Sequence, residues 1–276
     1  MIPTPPDPKL IDAGPSERGW HRVASILTCP RLSRLEIAGA LPPLESVYLI
    51  RGSLLHVGLA HYYQRQKAVA ANQDPDEWYA PEEAVLKLAE QEGAEWCLEV
   101  DLVLAGLAAY LRYWSQDDWV PLEIEYELRA RIPHPVVPDE RFLFTQRADL
   151  IVEDGAGKVW IVDHKTASRI NQGSLDQYIL SGQMVGYQHF GRAIYGDRFA
   201  GVILNRIKIY EPHEFDRRTV PPAPVATAGF VDTLKWAEYL DYTIPLDPEQ
   251  APMATRVSAC YGKYGKCSAF DRCRFG

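Results

Sequence analysis

The sequence RADLIVEDGAGKVWIVDHK spans residues 147–165 and combines two strand-like runs with a cluster of charged side chains. The segment EDGAG, rich in Asp and Gly, separates the two runs and predicts the turn of a β-hairpin. Asp149 lies on the first strand, Asp163 ends the second, and Lys165 follows two residues later. The hairpin is therefore expected to bring two carboxylates and an ammonium group to one end.

These three charged groups suit a particular chemistry. Carboxylates on adjacent strands are the hard oxygen ligands that Mg²⁺ or Mn²⁺ prefers. A neighbouring lysine can orient a water molecule or stabilise charge that develops on a phosphate. The same spacing also occurs in exposed hairpins with charged ends, so it needs support from elsewhere. The apolar pair Ile161-Val162 provides some, because it predicts a buried strand whose terminal Asp163 lies at the rim of a core.

Two predicted helices add polar groups to the same region. Residues 175–195 carry apolar side chains at helical spacing, and this helix would place Gln183 and Tyr187 on one face at i and i+4. Upstream, residues 44–66 show a second helical pattern. That helix carries His56, which can face the site formed by the hairpin.

Four short motifs thus follow one another along the chain. They are Gly52-x-x-x-His56, Asp149, Asp163-His164-Lys165 and Gln183-x-x-x-Tyr187. Their order resembles that of the PD-(D/E)XK nuclease superfamily. Within it, they are similar to the RecB-type branch, which includes CRISPR-associated four-cysteine exonucleases, the AddB nuclease domain and related phage exonucleases. The resemblance covers residues 20–276. One departure is Gln146-Arg147-Ala148, which stands where a small Gly or Pro usually precedes the first Asp.

The resemblance implies a metal-dependent DNA nuclease, with Mg²⁺ or Mn²⁺ as the cofactor. It assigns the metal to His56, Asp149, Asp163 and the backbone carbonyl of His164. The implied catalytic residues are Asp149, Asp163, Lys165, Gln183 and Tyr187. Lys165 would position the attacking water or stabilise the transition state. Gln183 and Tyr187 would orient Lys165 and hold the substrate backbone, and the His164 side chain would have no catalytic role.

The formal net charge of −8 argues at first against binding to DNA. A nuclease nevertheless needs acidic ligands, and its basic surface can be confined to one channel. Side chains near the motifs that can line such a channel, or stack on unpaired bases, are Arg51, Arg147, Arg169 and Tyr178.

Five cysteines provide an independent signal, at positions 29, 97, 260, 267 and 273. The first fifteen residues lack the apolar segment of a signal peptide, and no run of about 18 apolar residues indicates a membrane span. We therefore expect a cytoplasmic protein of a bacterium, an archaeon or a phage-infected host, in which clustered cysteines indicate metal. Four thiolates suit a [4Fe–4S] cluster and tetrahedral Zn²⁺ equally well. The resemblance favours an iron–sulfur staple formed by Cys29, Cys260, Cys267 and Cys273, whereas Cys97 is expected to be a small buried apolar residue.

Together these patterns predict an α/β fold. The resemblance implies a restriction-endonuclease-like core, a mixed central sheet flanked by helices, with a helical N-terminal half and a C-terminal cysteine-rich metal staple. We expect a flexible proline-rich arm at 1–18 and a helical part at 19–118 that carries Cys29 and His56. The nuclease core would follow at 119–245, and the metal-binding segment at 246–276.

Two further stretches concern charged residues outside the motifs. Residues 119–132 alternate as a strand, with Glu123, Glu125 and Glu127 on one face. We interpret that face as solvated rather than as a source of metal ligands. Prolines flank residues 214–218, which predicts a surface loop there, with its arginines in solvent.

Three functional hypotheses follow. The first is an active exonuclease on single-stranded DNA or DNA ends, in phage replication, recombination, repair or CRISPR adaptation. The chain has no helicase P-loop, so a helicase or recombination partner would act in trans, and the resemblance also allows an oligomer. The alternative is a non-catalytic DNA-end-binding module with a structural metal cluster. The third is a zinc-stapled interaction protein in which His56, Asp149, Asp163 and Lys165 do not converge.

Overall fold

The computed structural model of the chain describes residues 7–41, 46–254, 257–262 and 265–275. Its helices are α1 (Trp20–Thr28), α2 (Pro30–Ile37), α3 (Val47–Ala70), α4 (Pro81–Glu92), α5 (Ala94–Cys97), α6 (Val100–Tyr113), α7 (Gln172–Ile179), α8 (Gly182–Tyr195), α9 (Pro224–Ala228), α10 (Phe230–Thr243), α11 (Val257–Cys260) and α12 (Phe270–Phe275). Its strands are β1 (Val120–Pro133), β2 (Arg141–Glu153), β3 (Val159–Thr166), β4 (Phe199–Lys208), β5 (Glu214–Thr219), β6 (Tyr261–Gly262) and β7 (Gly265–Lys266). Short 3₁₀ turns cover Pro75–Glu77 and Gly196–Arg198.

The main sheet has the strand order β1-β2-β3-β4-β5 in the described part of the chain. The predicted hairpin is confirmed, because β2 and β3 pair antiparallel from Leu150↔Val162 to Glu153↔Val159. β3 pairs in parallel with β4, and β4 pairs antiparallel with β5. A parallel pair needs a crossover connection, which α7 and α8 provide. This mixed sheet with flanking helices confirms the predicted restriction-endonuclease-like α/β core and its helical N-terminal half.

Helices pack on both faces of the sheet at β3. The side chains of β3 alternate between these two faces, so both sides of the strand are buried. On one face, Val162 belongs to a core cluster that includes Leu55 of α3 and Leu107 of α6. On the other, Ile161 belongs to a second cluster that includes Met184 of α8. All five side chains are fully buried, and each burial of this kind contributes about 1.5–3 kcal/mol. The two clusters hold the end of β3 firmly between α3 and α8.

One predicted helix is interrupted in the structure. The helix expected at 175–195 is in fact α7 and α8, because Ser181 adopts an extended conformation and caps α8 by accepting a hydrogen bond from the Met184 amide at 3.4 Å. Similarly, Gly93 has φ of 112° and separates α4 from α5. Glycine adopts this conformation readily, whereas other residues do so only with strain.

The loop predicted at 214–218 is wrong, since these residues form the edge strand β5. Prolines flank the strand without interrupting it, and an edge strand needs hydrogen bonds on one side only. Arg217 is not solvated: its guanidinium lies 3.8 Å from the ring centres of both Trp114 and Trp119, and it forms an ion pair with Asp117. Its role is therefore structural.

The chain divides into two compact units. The first comprises Met1–Pro15, Ser46–Leu128 and Arg147–Thr227, and the second comprises Ser16–Glu45, Arg129–Gln146 and Ala228–Gly276. In the second unit, α1 packs on α10 through Trp20 and Phe230, whose ring centres lie 6.0 Å apart. Buried Arg34 donates hydrogen bonds to Asp241 and to the carbonyl oxygen of Ile244 at the C-terminal end of α10. In the described ranges, none of the helices has the length and apolar character needed to cross a membrane.

Candidate active site

His56, Asp149 and the main chain of His164 meet in the first unit. α3 carries His56 to the end of the hairpin, where its Nε2 lies 3.0 Å from the carbonyl oxygen of His164. The Nδ1 atom of His56 lies 3.6 Å from Oδ2 of Asp149. That oxygen also accepts a hydrogen bond from the His164 amide at 2.7 Å. Three groups that the sequence predicts as ligands of one metal therefore lie close together.

A fourth group at this position is Glu125. The prediction that it lies on a solvated face is wrong. Its carboxylate, the imidazole of His56 and the carboxylate of Asp149 offer ligand atoms that all lie within 4.8 Å of one another. Glu125 has a φ of 48°, a left-handed conformation that disturbs the alternation of β1. Glu123 instead pairs with Lys67 at 2.8 Å. The three glutamates were indistinguishable by alternation, and only the backbone conformation distinguishes Glu125.

The pKa of Glu125 is higher than its ordinary value, whereas the pKa of Asp149 is lower. Burial, followed by the nearby charge of Asp149, raises the pKa of the Glu125 carboxyl well above its ordinary value. Burial also favours a higher pKa for Asp149, but His56, Lys165 and the His164 amide together lower it below its ordinary value. A cation bound between the two groups would favour the ionised form of both carboxyls and would therefore oppose the effect of burial on Glu125.

Asp163 and Lys165 form the second part of the site. The Asp163 side chain is fully buried, and its Oδ2 lies 2.6 Å from Nζ of Lys165. Burial, partly offset by Lys165 and reinforced by Asp149, raises the pKa of Asp163 to about 6. Burial alone would lower the pKa of Lys165, but Asp163 and Asp149 raise it above its ordinary value. The lysine is therefore a fixed cation beside the carboxylate and not a proton donor at neutral pH.

α8 provides the remaining predicted groups. The Tyr187 hydroxyl donates to the carbonyl oxygen of Arg147 at 2.5 Å and lies 3.4 Å from Oδ1 of Asp163. Gln183 Nε2 donates to the same hydroxyl at 3.1 Å, as expected for i and i+4 positions on a helix. Tyr187 therefore contacts both strands of the hairpin. Tyr187 thus helps to position Asp163. Tyr187 can influence Lys165 only through this aspartate, which pairs with the lysine.

A family model for the PD-(D/E)XK nuclease superfamily matches residues 21–274. The chain belongs to that superfamily. Two solved structures also resemble it. A protein from Eubacterium rectale described as a candidate exonuclease shares 11% identity, with 93% of this chain and 86% of that chain covered and a TM-score of 0.48. The structure named SSO0001 shares 18% identity, with 76% and 84% covered and a TM-score of 0.31. No curated protein matches the chain.

Two arginines that were predicted to line a nucleic-acid channel are paired with acidic side chains in this PD-(D/E)XK protein. Arg51 Nε lies 2.5 Å from Glu99 Oε2, and the guanidinium also donates to the Tyr210 hydroxyl. Arg147 Nη1 donates to the carbonyl oxygen of Asp12 at 2.7 Å and lies 2.9 Å from Asp12 Oδ2. Both positive charges are therefore largely compensated within the first unit.

The other two predicted contact residues lie between β3 and α8. Arg169 is exposed on the segment that follows β3. Tyr178 is half-buried, packs on the core cluster that includes Met184, and lies near enough to Lys165 to affect its pKa. Of the two, Tyr178 lies near Lys165, and Arg169 is exposed on the segment after β3.

The four cysteines predicted to bind metal all belong to the second unit. Cys29 is buried between α1 and α2, and its Sγ accepts a hydrogen bond from the Ala254 amide at 3.4 Å. The Cys267 amide donates to the Cys260 carbonyl oxygen at 2.9 Å. Burial first, and then the other thiols of the set, raise the pKa values of Cys267 and Cys273. Cys97 is exposed rather than buried as predicted.

The position of Glu125 predicts a specific effect on metal binding. Replacing it in a Glu125→Gln variant should lower the affinity for Mn²⁺ by at least about tenfold, because an ionisable oxygen ligand is lost. The matched control is Glu123→Gln, two residues away and paired with Lys67, which should leave the affinity unchanged. Titration calorimetry with Mn²⁺ measures both. Equal affinities for the wild type and Glu125→Gln would exclude Glu125 from the site.

The raised pKa of Asp163 predicts how metal binding depends on pH. In the metal-free folded state this carboxyl keeps its proton up to about pH 6, whereas an ordinary aspartate has a pKa of 3.8. Ionising it therefore costs folding free energy as pH rises through that window. A cation that requires the ionised carboxylate displaces the proton, so Mn²⁺ affinity should rise between about pH 5 and about pH 7.5.

Calorimetry in buffers of different ionisation enthalpy measures the protons released by this binding. Asp163→Asn should release fewer protons than the wild type. A wild-type affinity that does not change across this pH range would contradict the assignment of Asp163.

Proposed function

We propose that this PD-(D/E)XK nuclease is a Mg²⁺- or Mn²⁺-dependent deoxyribonuclease that hydrolyses phosphodiester bonds through the site at the end of the β2–β3 hairpin. The observation that carries the proposal is the convergence of His56, Glu125 and Asp149 beside the Asp163–Lys165 ion pair. A buried aspartate surrounded by these groups is not expected in a hairpin that only forms part of the surface. Their convergence also opposes a zinc-stapled interaction protein with an incidental hairpin.

The donor set fits a hard divalent cation. Carboxylate oxygens from Glu125, Asp149 and Asp163, with the His164 carbonyl oxygen, are ligands that Mg²⁺ and Mn²⁺ prefer, and one imidazole from His56 is compatible with Mn²⁺. When bound, the cation lowers the pKa of a water molecule and neutralises phosphate oxygens. The rest of the chemistry falls to the side chains of the chain itself.

Lys165 supplies a permanent positive charge next to the reacting phosphate. Its Nζ is fixed by Asp163 at 2.6 Å, and Tyr187 packs against that aspartate from α8. A cation held in this way can orient the attacking water and stabilise the negative charge of the transition state without reorganisation. Because its pKa is raised, Lys165 remains protonated throughout the reaction.

We further propose that the protein belongs to the RecB-type branch and acts as an exonuclease on single strands or DNA ends. The order of motifs in the chain supports this assignment. Among the cations predicted to contact DNA, exposed Arg169 is available to a phosphate directly, whereas Arg147 must first leave Asp12. Half-buried Tyr178 offers a ring beside Lys165 on which an unpaired base can stack. Any strand separation would require a partner.

The proposed iron–sulfur staple joins Cys29, Cys260, Cys267 and Cys273. Their mutual influence on pKa indicates thiols that lie near one another in the second unit. Four thiolates suit a [4Fe–4S] cluster and tetrahedral zinc, and the resemblance to four-cysteine nucleases favours the cluster.

Loss of the lysine charge should abolish cleavage. A Lys165→Met variant is expected to lose at least about 100- to 1,000-fold in rate, because transition-state charge is no longer compensated. The control is Lys158→Met, at an exposed lysine that precedes the same strand and donates to the Asp197 carbonyl oxygen at 2.9 Å. The cleavage rate is measured on end-labelled single-stranded and duplex DNA. Closed circular DNA, assayed in parallel, shows whether cleavage requires an end.

Circular dichroism and Mn²⁺ titration establish that both lysine variants are folded and bind metal. Substantial cleavage by folded Lys165→Met would remove this residue from the mechanism. An inert wild type that binds DNA ends would instead identify the protein as a binding module.

The staple predicts metal content. Protein purified without oxygen should contain iron and acid-labile sulfide in equal amounts, and Cys29→Ser or Cys267→Ser should lose both. Cys97→Ser is the control, because this exposed thiol lies outside the set and should leave both contents unchanged. Elemental analysis decides the metal. One zinc per chain in place of iron would contradict the cluster while keeping the four cysteines as ligands.

A further inference from the structure

A row of buried polar side chains crosses three strands of the sheet behind the candidate metal site. His164 on β3 lies opposite Asn205 on β4, which lies opposite Arg217 on β5. His164 is 2% exposed and Asn205 is fully buried. The Asn205 Nδ2 atom lies 2.7 Å from Nδ1 of the His164 ring. Because an amide NH₂ group only donates, His164 Nδ1 accepts this bond and the ring carries its proton on Nε2.

Two tyrosines close this row from the helices above it. Asn205 Nδ2 also donates to the Tyr110 hydroxyl of α6 at 2.7 Å, and Arg217 Nη2 donates to the same hydroxyl at 2.9 Å. With both lone pairs used, Tyr110 must donate its own proton to the Tyr63 hydroxyl of α3, which lies at 3.0 Å. Arg217 Nη2 also reaches Tyr63 at 3.2 Å. With the Asn205 amide in this orientation, its NH₂ group donates to both His164 and Tyr110, and the Tyr110 proton points to Tyr63.

The row connects to the metal site through α3 and through the main chain of β3. Tyr63 stacks on the His164 ring, with centroids 5.8 Å apart and planes 8° from parallel. It lies seven residues after His56, two helical turns away on the same face of α3. The His164 main chain meanwhile contacts both His56 and Asp149. The ring of His164 thus fixes both the peptide that faces the metal site and the helix that carries His56.

We propose that Asn205 is a positioning residue of the metal site, which acts by holding the His164 ring and Tyr110 in one arrangement. This inference rests on the proposed function. Asn205 contacts the ring of His164 and not its carbonyl oxygen, which is the proposed metal ligand. It acts on them through the strand β3 and the helix α3, whose relative register it fixes. Interactions of this outer kind orient metal ligands and commonly change metal affinity or activity by about 10- to 100-fold.

Buried polar networks have this effect because their members cannot be satisfied in another way. If Asn205 is removed, His164 Nδ1 loses its donor and the ring can rotate or exchange its proton between nitrogens. The peptide after Asp163 then loses its fixed orientation relative to His56. A replacement that only loosened the core would lower stability without this local effect.

The test compares Asn205→Leu with Gln188→Leu. Gln188 is a second buried amide in the first unit, and it bonds the Pro221 carbonyl oxygen and the Ala223 amide, which are not members of the row that contains His164. Both variants remove a buried amide and leave its partners unsatisfied, so both should lower the free energy of unfolding. The readouts are Mn²⁺ affinity by calorimetry, the ring tautomer of His164 by ¹⁵N NMR, and the rate of DNA cleavage.

We expect Asn205→Leu to weaken Mn²⁺ binding by about 10- to 100-fold and to populate the Nδ1-protonated ring, while Gln188→Leu changes neither. Tyr110→Phe, which removes one hydroxyl and keeps the ring, should weaken Mn²⁺ binding in the same direction and provides the test if Asn205→Leu does not fold. If Asn205→Leu binds Mn²⁺ as tightly as the wild type, the inference is overturned while the proposed function stands. If Asn205→Leu does not fold, the same comparison is made with Tyr110→Phe. A wild type that neither binds Mn²⁺ nor cleaves DNA would overturn the proposed function as well.

Discussion

The complete burial of the Asp163 carboxylate is the constraint on which the arrangement of this molecule depends. A buried charge is costly unless it is paired and hydrogen-bonded. Here the ammonium of Lys165 pairs with it, and the hydroxyl of Tyr187 packs against it. The burial itself follows from the position of Asp163 at the end of a strand whose preceding residues belong to two apolar clusters. The core that stabilises the fold is thus also what raises the pKa of the carboxyl.

Strand alternation explains why one short segment serves two structural purposes. Successive residues of β3 face opposite sides of the sheet, so Asp163 contacts α8 while the ring of His164 contacts α3. The main chain between them carries the carbonyl that His56 approaches. The side chain at position 164 had no expected role, since the resemblance treats this position as variable. Its ring lies on the side of the sheet where the polar row is buried, and burial lowers its pKa to about 3, so it is neutral.

The sequence predicted those features that depend on local pattern. Alternation and an Asp/Gly turn were sufficient for the β2–β3 hairpin, and helical spacing was sufficient for the helix that carries His56. It could not predict Glu125, because a left-handed residue within a strand leaves no compositional signal. It also missed the position of Arg217, whose environment is created by Trp114 and Trp119 from distant parts of the chain. The N-cap at Ser181 could have been predicted from the sequence, since serine is a preferred N-cap residue.

The pairing of Arg147 with Asp12 bears on how the salt dependence of nucleic-acid binding should be interpreted. A free surface cation that meets a phosphate releases a condensed counterion, and the salt dependence of affinity counts such releases. Arg147 has its counter-charge already, supplied by a carboxylate of the same chain. A phosphate that replaced Asp12 would exchange one ion pair for another, so the slope of affinity against salt would undercount the phosphates in contact with the protein.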